Sequence, residues 1–184
     1  MLVAALLAYP VFRNMMLNAR LHAMAANGRS IQRVLHAEEE MPKELTRPHV
    51  SFMYFPRSTG DFSFASSTEY FRWIVTNRII TVDFSFFSGP GLNSERGLRF
   101  SDQNNAWCLV ADYDQHTPPY YPFLFTRNID IKTLSDGLCF NEERPFGKSG
   151  AAVVTISGNM YAFSEDEAKA FSADIVASNK VLRP

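Results

Sequence analysis

Residues 2–12 read LVAALLAYPVF, and residues 18–35 continue NARLHAMAANGRSIQRVL. The first stretch is apolar or aromatic throughout, broken only by Pro10. A soluble domain rarely begins this way. A membrane span needs about 20 apolar residues, and Arg13 ends the run well short of that. A signal peptide would carry basic residues before the run and a small-residue cleavage site after it. Here only Met1 precedes it, and Tyr9, Val11 and Phe12 crowd its end. The segment therefore reads either as the second half of an anchor and assembly helix whose start lies upstream, or as the buried first helix of an ordinary domain; the first reading is the expectation. Beyond Pro10 the period is helical. Phe12, Met16, Ala19, Ala23, Ala26, Ser30, Val34 and Ala37 form one stripe, and Leu17, Leu21, Met24, Ile31 and Leu35 form a second, well round the cylinder. Two stripes imply two partners. Gly28 weakens the middle by about 1 kcal/mol relative to alanine. With Glu38 to Glu40 and Pro42 closing it, the helix is expected over residues 2–40, about 60 Å long. A core this small cannot cover that length, so part of the helix should project.

The chain of 184 residues has 18 basic and 19 acidic side chains, and 46% of it is hydrophobic. These values fit one domain with an appended helix and exclude wholesale disorder. A net charge of -1 disfavours nucleic acid as a partner. Two cysteines are too few for a disulfide framework or a four-cysteine zinc site.

After the helix, residues 41–65 read as loop, with an aromatic patch at Phe52, Tyr54 and Phe55. Ser66 to Glu69 has the spacing of a capping box and opens a helix near 67–77. Val82, Phe84 and Phe86 alternate with polar residues, which predicts a short strand or extended segment. Strands are expected at 106–111 and 123–126. Residues 151–156 and 160–163 flank Ser157-Gly158-Asn159, the strongest hairpin signal. Ser164 to Glu167 forms a second capping box, opening a short helix through about Val176. The layout is α+β, a long N-terminal helix packed on a small antiparallel sheet with additional short helices. Residues 1–40 form the assembly helix and 41–184 the globular head.

Catalytic and metal-binding spacings are weak. Gly147-Lys148-Ser149 lacks the upstream glycine of a phosphate loop, that position being Glu142, and it precedes a strand. Ser149 fails the nucleophile-elbow pattern because Ala151 replaces its last glycine. His22, His36, His49 and His116 are widely separated, without ligand-pair spacing. Asp112 and Asp114 could contribute to a calcium site, but a solvated turn at the strand end is the preferred reading. Cys108 and Cys139 read equally as a disulfide pair or as two buried thiols. No cofactor or metal is expected.

The opening run with its following helix, STEYFRWIVTNRIITVDFSFF at 67–87, NNAWCLVADYDQHTPPYYPFLFTRN at 104–128 and GKSGAAVVTISGNMYAF at 147–163 together resemble type IV pilin-like proteins, in particular type II secretion pseudopilins. Pro10 lies where that family has a helix-kinking proline. The resemblance implies a pilin-like fold and a processed subunit, anchored in the inner membrane with a periplasmic head. Its partners would be other pseudopilin subunits and secretion-system components, with the membrane contacted through a part of the helix upstream. The family's cleavage glycine, methylated phenylalanine and acidic residue are absent, so the chain is expected to start inside that helix. Arg13, Arg20, Arg29 and Arg33 also depart from it, because basic flanks usually face the cytoplasm.

The function expected is a non-enzymatic structural subunit of a secretion or pilus-like filament. Phe12, Met16, Ala19, Ala23 and Ala26 would form the assembly face, and Leu17, Leu21, Met24, Ile31 and Leu35 the face that holds the head. The alternative is a membrane-anchored periplasmic carbohydrate- or peptide-binding module using Phe52, Tyr54, Phe55, Tyr120 and Tyr121. A hydrolase built on Asp112 or Asp114 is the third reading.

Overall fold

A helix of 36 residues, α1 (Leu2–Ala37), leads into the fold with Pro10 inside it. The structure, a computed structural model, describes residues 2–37, 55–57, 59–60, 62–97, 99–113, 116–130, 139–168 and 181–184. In chain order there follow α2 (Ser67–Thr76), β1 (Trp107–Val110), β2 (Pro122–Thr126), β3 (Ile129–Asp130), β4 (Cys139–Phe140), β5 (Gly150–Thr155), β6 (Met160–Ser164), α3 (Glu165–Ala168) and β7 (Val181–Leu182). Five strands make one antiparallel sheet in the order β6-β5-β2-β1-β7, and β3 pairs with β4 separately. The class is therefore α+β, one long helix against a five-stranded antiparallel sheet.

The central strands explain why the alternation expected of strands is weak in the sequence. Every residue of β1, β2 and β5 is buried, so both faces demand apolar or small side chains. Leu109, Leu124 and Val154 stand in one cross-strand row, with Trp107 one pleat along on the same face. Cys108, Phe125 and Val153 form the row on the other face. The β2–β5 register shifts between Pro122 and Leu124, leaving Phe123 as the extra residue next to a proline that has no N–H to offer the ladder. The β5–β6 hairpin turns at residues 157–159, with Gly158 at φ +77, a conformation that suits glycine.

Helix α1 lies across β5 and β6 and reaches β2. Its contact row is Leu21, Met24, Ala25, Gly28, Ile31, Gln32 and Leu35, all buried. The spacing is three and four residues, as one helical face requires. Burying each large side chain of this row contributes roughly 1.5–3 kcal/mol. Gly28 sits at its centre: a Cβ there would lie 2.7 Å from Trp107 Cη2 and 2.9 Å from Val154 Cγ2. At Gly150, opposite Leu21, a Cβ would meet the Phe163 carbonyl oxygen at 2.4 Å. Gln32 donates from Nε2 to the Ile156 carbonyl, tying α1 to the hairpin turn.

Both capping boxes form at least in part. The Ser66 hydroxyl accepts from Glu69 N–H at 3.2 Å, and Glu69 Oε2 accepts from Ala65 N–H at 2.7 Å. Glu167 Oε2 accepts from Ser164 N–H at 2.9 Å, and this bond, ahead of one from the Ser164 hydroxyl, holds its carboxyl below the ordinary value. Helix α3 is described to Ala168, and the expected continuation to Val176 lies outside the described residues.

The segment expected to be extended at 82–86 is instead a 3-10 turn, Phe84–Phe87. Asp83 decides it. Its carboxylate accepts from Ser85 N–H at 2.8 Å and from the Ser85 hydroxyl, and the side-chain bond is the largest cause of its lowered pKa. Phe84 and Phe87, three apart, are then buried together, stacking on Phe100 and Phe71 at 5.0 and 4.3 Å. The short β3, β4 and β7 carry no periodic signal and have no counterpart among the expected strands.

In an exposed helix Gly28→Ala would stabilise by about 1 kcal/mol. Here overpacking against Trp107 and Val154, about 1–3 kcal/mol, should outweigh that gain. Urea unfolding is expected to show a net loss for Gly28→Ala and a larger one for Gly28→Val. Gly150→Ala, which meets backbone, should cost about 3 kcal/mol. A raised unfolding midpoint for Gly28→Ala would contradict the close approach of helix and sheet.

Candidate functional site

Helix α1 divides at Leu21. From Tyr9 to Arg20 every residue is exposed except half-buried Leu17. Tyr9, Val11, Phe12 and Met15 are 67%, 61%, 63% and 66% exposed. Large apolar side chains are seldom left so in a contiguous group. Leu21, Met24, Ile31 and Leu35 are buried on the head and Leu17 is half-buried, whereas Phe12, Met16, Ala19, Ala23 and Ala26 are exposed, Phe12 and Met16 bordering a groove that ends at Ser149 and Ala23 bordering one beside the loop at residues 85–94.

Ala25, Gly28 and Gln32 complete the buried row and belong to neither of the expected stripes. Positions 21, 25, 28 and 32 carry the helical spacing. Small and polar side chains in a bulky stripe hide the signal from a search for apolar residues. Two shallow grooves also lie beside the exposed face. One, of about 320 Å³, lies where α1 leaves the sheet, between Tyr9, Phe12, Arg13, Met16, Leu17, Arg20 and Ser149. The other, of about 290 Å³, separates Arg20, Ala23, Met24 and Asn27 from the loop at residues 85–94.

A pocket of about 240 Å³ is lined by Asp102, Cys108, Arg127, Glu143 and Arg183. Arg127 Nη1 donates to the Asp102 and Asn105 carbonyls at 2.6 and 3.1 Å, and Nε lies 3.5 Å from Glu143 Oε2. The Cys108 thiol is free and buried, and burial pushes it up to about 12. It is therefore a protonated packing group rather than a nucleophile. Cys139 lies in β4, its side chain outside the described residues.

Asp112 adopts φ +67 just past β1 and is exposed, while its N–H donates to the Pro56 carbonyl at 2.9 Å. That conformation is one aspartate tolerates better than most residues. Asp114 lies outside the described residues, as do Phe52 and Tyr54. Among the described residues no group of three His, Cys, Asp or Glu side chains is arranged to hold a metal ion. His22 and His116 are exposed and far apart in sequence, and the side chains of His36 and His49 are not described.

Of the aromatic set, Phe55 is 1% exposed, with its ring 4.4 Å from that of Phe123, so it belongs to the core. Tyr120 is exposed and packs edge-on to half-buried Tyr121 at 5.2 Å. Tyr113 is buried and donates its hydroxyl to the Pro122 carbonyl.

Set beside protein-family models, curated proteins and solved structures, the chain matches none of them.

The buried hydroxyls give a pH signature. Burial raises Tyr70 and Tyr113 well above their ordinary value of 10.0, and Cys108 above 9.0. As pH rises past those ordinary values, the unfolded chain releases protons that the folded chain keeps. The folded state then binds more protons, and stability must fall. The urea midpoint is expected to hold steady to about pH 9 and decline above it. In a Cys139→Ser variant, a thiol reagent should modify Cys108 only as fast as the protein unfolds. Rapid labelling of the folded variant would overturn the assignment of Cys108 as a sealed core group.

Proposed function

We propose that this chain is a non-enzymatic structural subunit of a pilin-like filament of the type II secretion kind, assembling through α1, with its head on the periplasmic side of the inner membrane. The observation that carries the proposal is the division of α1. Between residues 21 and 35 one face of the helix is buried on the sheet, while Tyr9, Val11, Phe12, Met15 and Met16 present apolar surface that the head leaves uncovered. Covering such side chains is worth roughly 1.5–3 kcal/mol each, so a packed array of helices would be strongly favoured. Ala19, Ala23 and Ala26 continue the same side with small exposed residues that let a neighbouring helix come close. The resemblance of the opening run and of the three later segments to pseudopilins supports the same reading, and so does the α+β arrangement of a long helix on an antiparallel sheet. The work of such a subunit is mechanical, with no reaction step. A carbohydrate- or peptide-binding module has less support, because Phe55 is consumed by the core.

The test is made in the cells that express the protein. Replacing Ala19 and Ala23 together with glutamate is expected to abolish assembly and secretion. Both positions are exposed, so the purified variant should melt within about 0.5 kcal/mol of the parent. Cysteines placed at the same positions in a Cys139→Ser background should form cross-links between subunits on oxidation. Normal secretion by the glutamate variant, with no cross-links in the cysteine variant, would sink the proposal.

A further inference from the structure

The groove at the root of the projecting half of α1 includes two arginines and a serine that the filament reading does not use. Its walls are Tyr9, Phe12 and Met16 on one side and Arg13, Arg20 and Ser149 on the other, enclosing about 320 Å³. Arg13 and Arg20 are seven residues apart, two turns and about 10 Å along the axis on the same side. Both are exposed, and among the described residues neither makes a hydrogen bond or an ion pair. Nor can a neighbour on the helix neutralise them: residues 2–37 include Arg13, Arg20, Arg29 and Arg33 and not one Asp or Glu.

The apolar residues around the groove form a wide arc. At 3.6 residues per turn, Val11, Met15, Phe12, Met16 and Tyr9 follow one another over about 160° of the cylinder. Arg20 and Arg13 border the arc on one edge and Asn18 on the other, while Pro10, Leu17 and Asn14 lie across the cylinder from it. A seam between two helices is narrower than this. An apolar arc edged by arginines is the pattern of a helix lying in a membrane interface. Among the described residues no helix is long and apolar enough to cross a membrane.

We propose that this groove takes the phosphate headgroup of an anionic phospholipid. Arg13 and Arg20 hold the phosphate oxygens, Ser149 adds a hydroxyl donor, and Tyr9, Phe12 and Met16 enter the acyl boundary. The arginines that fit poorly with a plain anchor flank thus have a ligand of opposite charge. The inference goes beyond the filament reading and does not depend on it, since lipid binding is read on the purified chain and assembly is read in cells.

Co-sedimentation of the purified chain with vesicles tests it. Vesicles of phosphatidylcholine with about 30% phosphatidylglycerol should bind at least tenfold more tightly than phosphatidylcholine alone, with the difference shrinking at high salt. Arg13→Gln with Arg20→Gln should weaken binding to the anionic vesicles roughly 30-fold, which corresponds to about 1 kcal/mol per basic residue near the surface. Phe12→Ser with Met16→Ser should weaken binding to both vesicle types. Melting curves of all variants should match the parent, because the substituted side chains are exposed. Equal binding to the two vesicle types, or an unaffected arginine variant, would overturn the proposal. So would reversal of vesicle binding by millimolar inorganic phosphate, which would make free phosphate the ligand. Lipid-free dimerisation lost in the arginine variant would assign the groove to a second copy and also overturn it.

Discussion

The contact on which the rest of the structure depends is the seating of Gly28 against Trp107 and Val154. Helix and sheet come together there without any side chain on the helix between them, at a separation a single Cβ would violate. Everything to either side follows from that approach. Leu21 reaches the backbone of Gly150, and Ile31 and Leu35 are sealed at 0% exposure. Gln32 then comes near enough to the hairpin turn to donate to Ile156. Two glycines on facing elements, 28 on the helix and 150 on the strand, act as a matched pair of clearances.

Trp107 links this contact to the polar centre of the head. Its backbone N–H donates to Asn105 Oδ1 at 3.0 Å, and its carbonyl accepts from the Ser67 hydroxyl at 2.7 Å. Asn105 Nδ2 in turn donates to Ser67 and Thr68 at the start of α2. All four residues are buried, and buried polar groups that satisfy one another fix a geometry as well as a composition. The orientation of α2 and the position of the ring under α1 are thereby set by the same strand.

Much of the fold was legible because it is periodic or punctuated. The three- and four-residue recurrence of Leu21, Met24, Ile31 and Leu35 is enough to place them on one face. Ser66 with Glu69, and Ser157-Gly158-Asn159 between two apolar runs, mark a helix start and a hairpin by local chemistry. What escaped was nonlocal or aperiodic. Asp83 turns an alternating run into a 3-10 turn through its own side chain. Strands as short as Ile129–Asp130 or Val181–Leu182 exist only by pairing with distant partners. Gly28 reads in one dimension as a helix weakness, and only the neighbouring strand shows it to be a fit. At the candidate site, the two faces of α1 follow from spacing alone. The groove at Ser149 does not, because that residue is remote in sequence from the arginines it joins.

The notch at Gly28 also has a mechanical meaning. A pull along the free half of α1 loads the helix–sheet interface in shear, parallel to the helix axis. A smooth apolar stripe would resist sliding weakly, since one hydrophobic contact can replace another. Here a slip of one residue, about 1.5 Å of rise, requires Asn27 or Arg29 to pass over the Trp107 ring and the Val154 methyl in space that does not admit a Cβ at Gly28. The glycine and the indole therefore act as a detent, and the load passes into β5, a strand hydrogen-bonded on both edges.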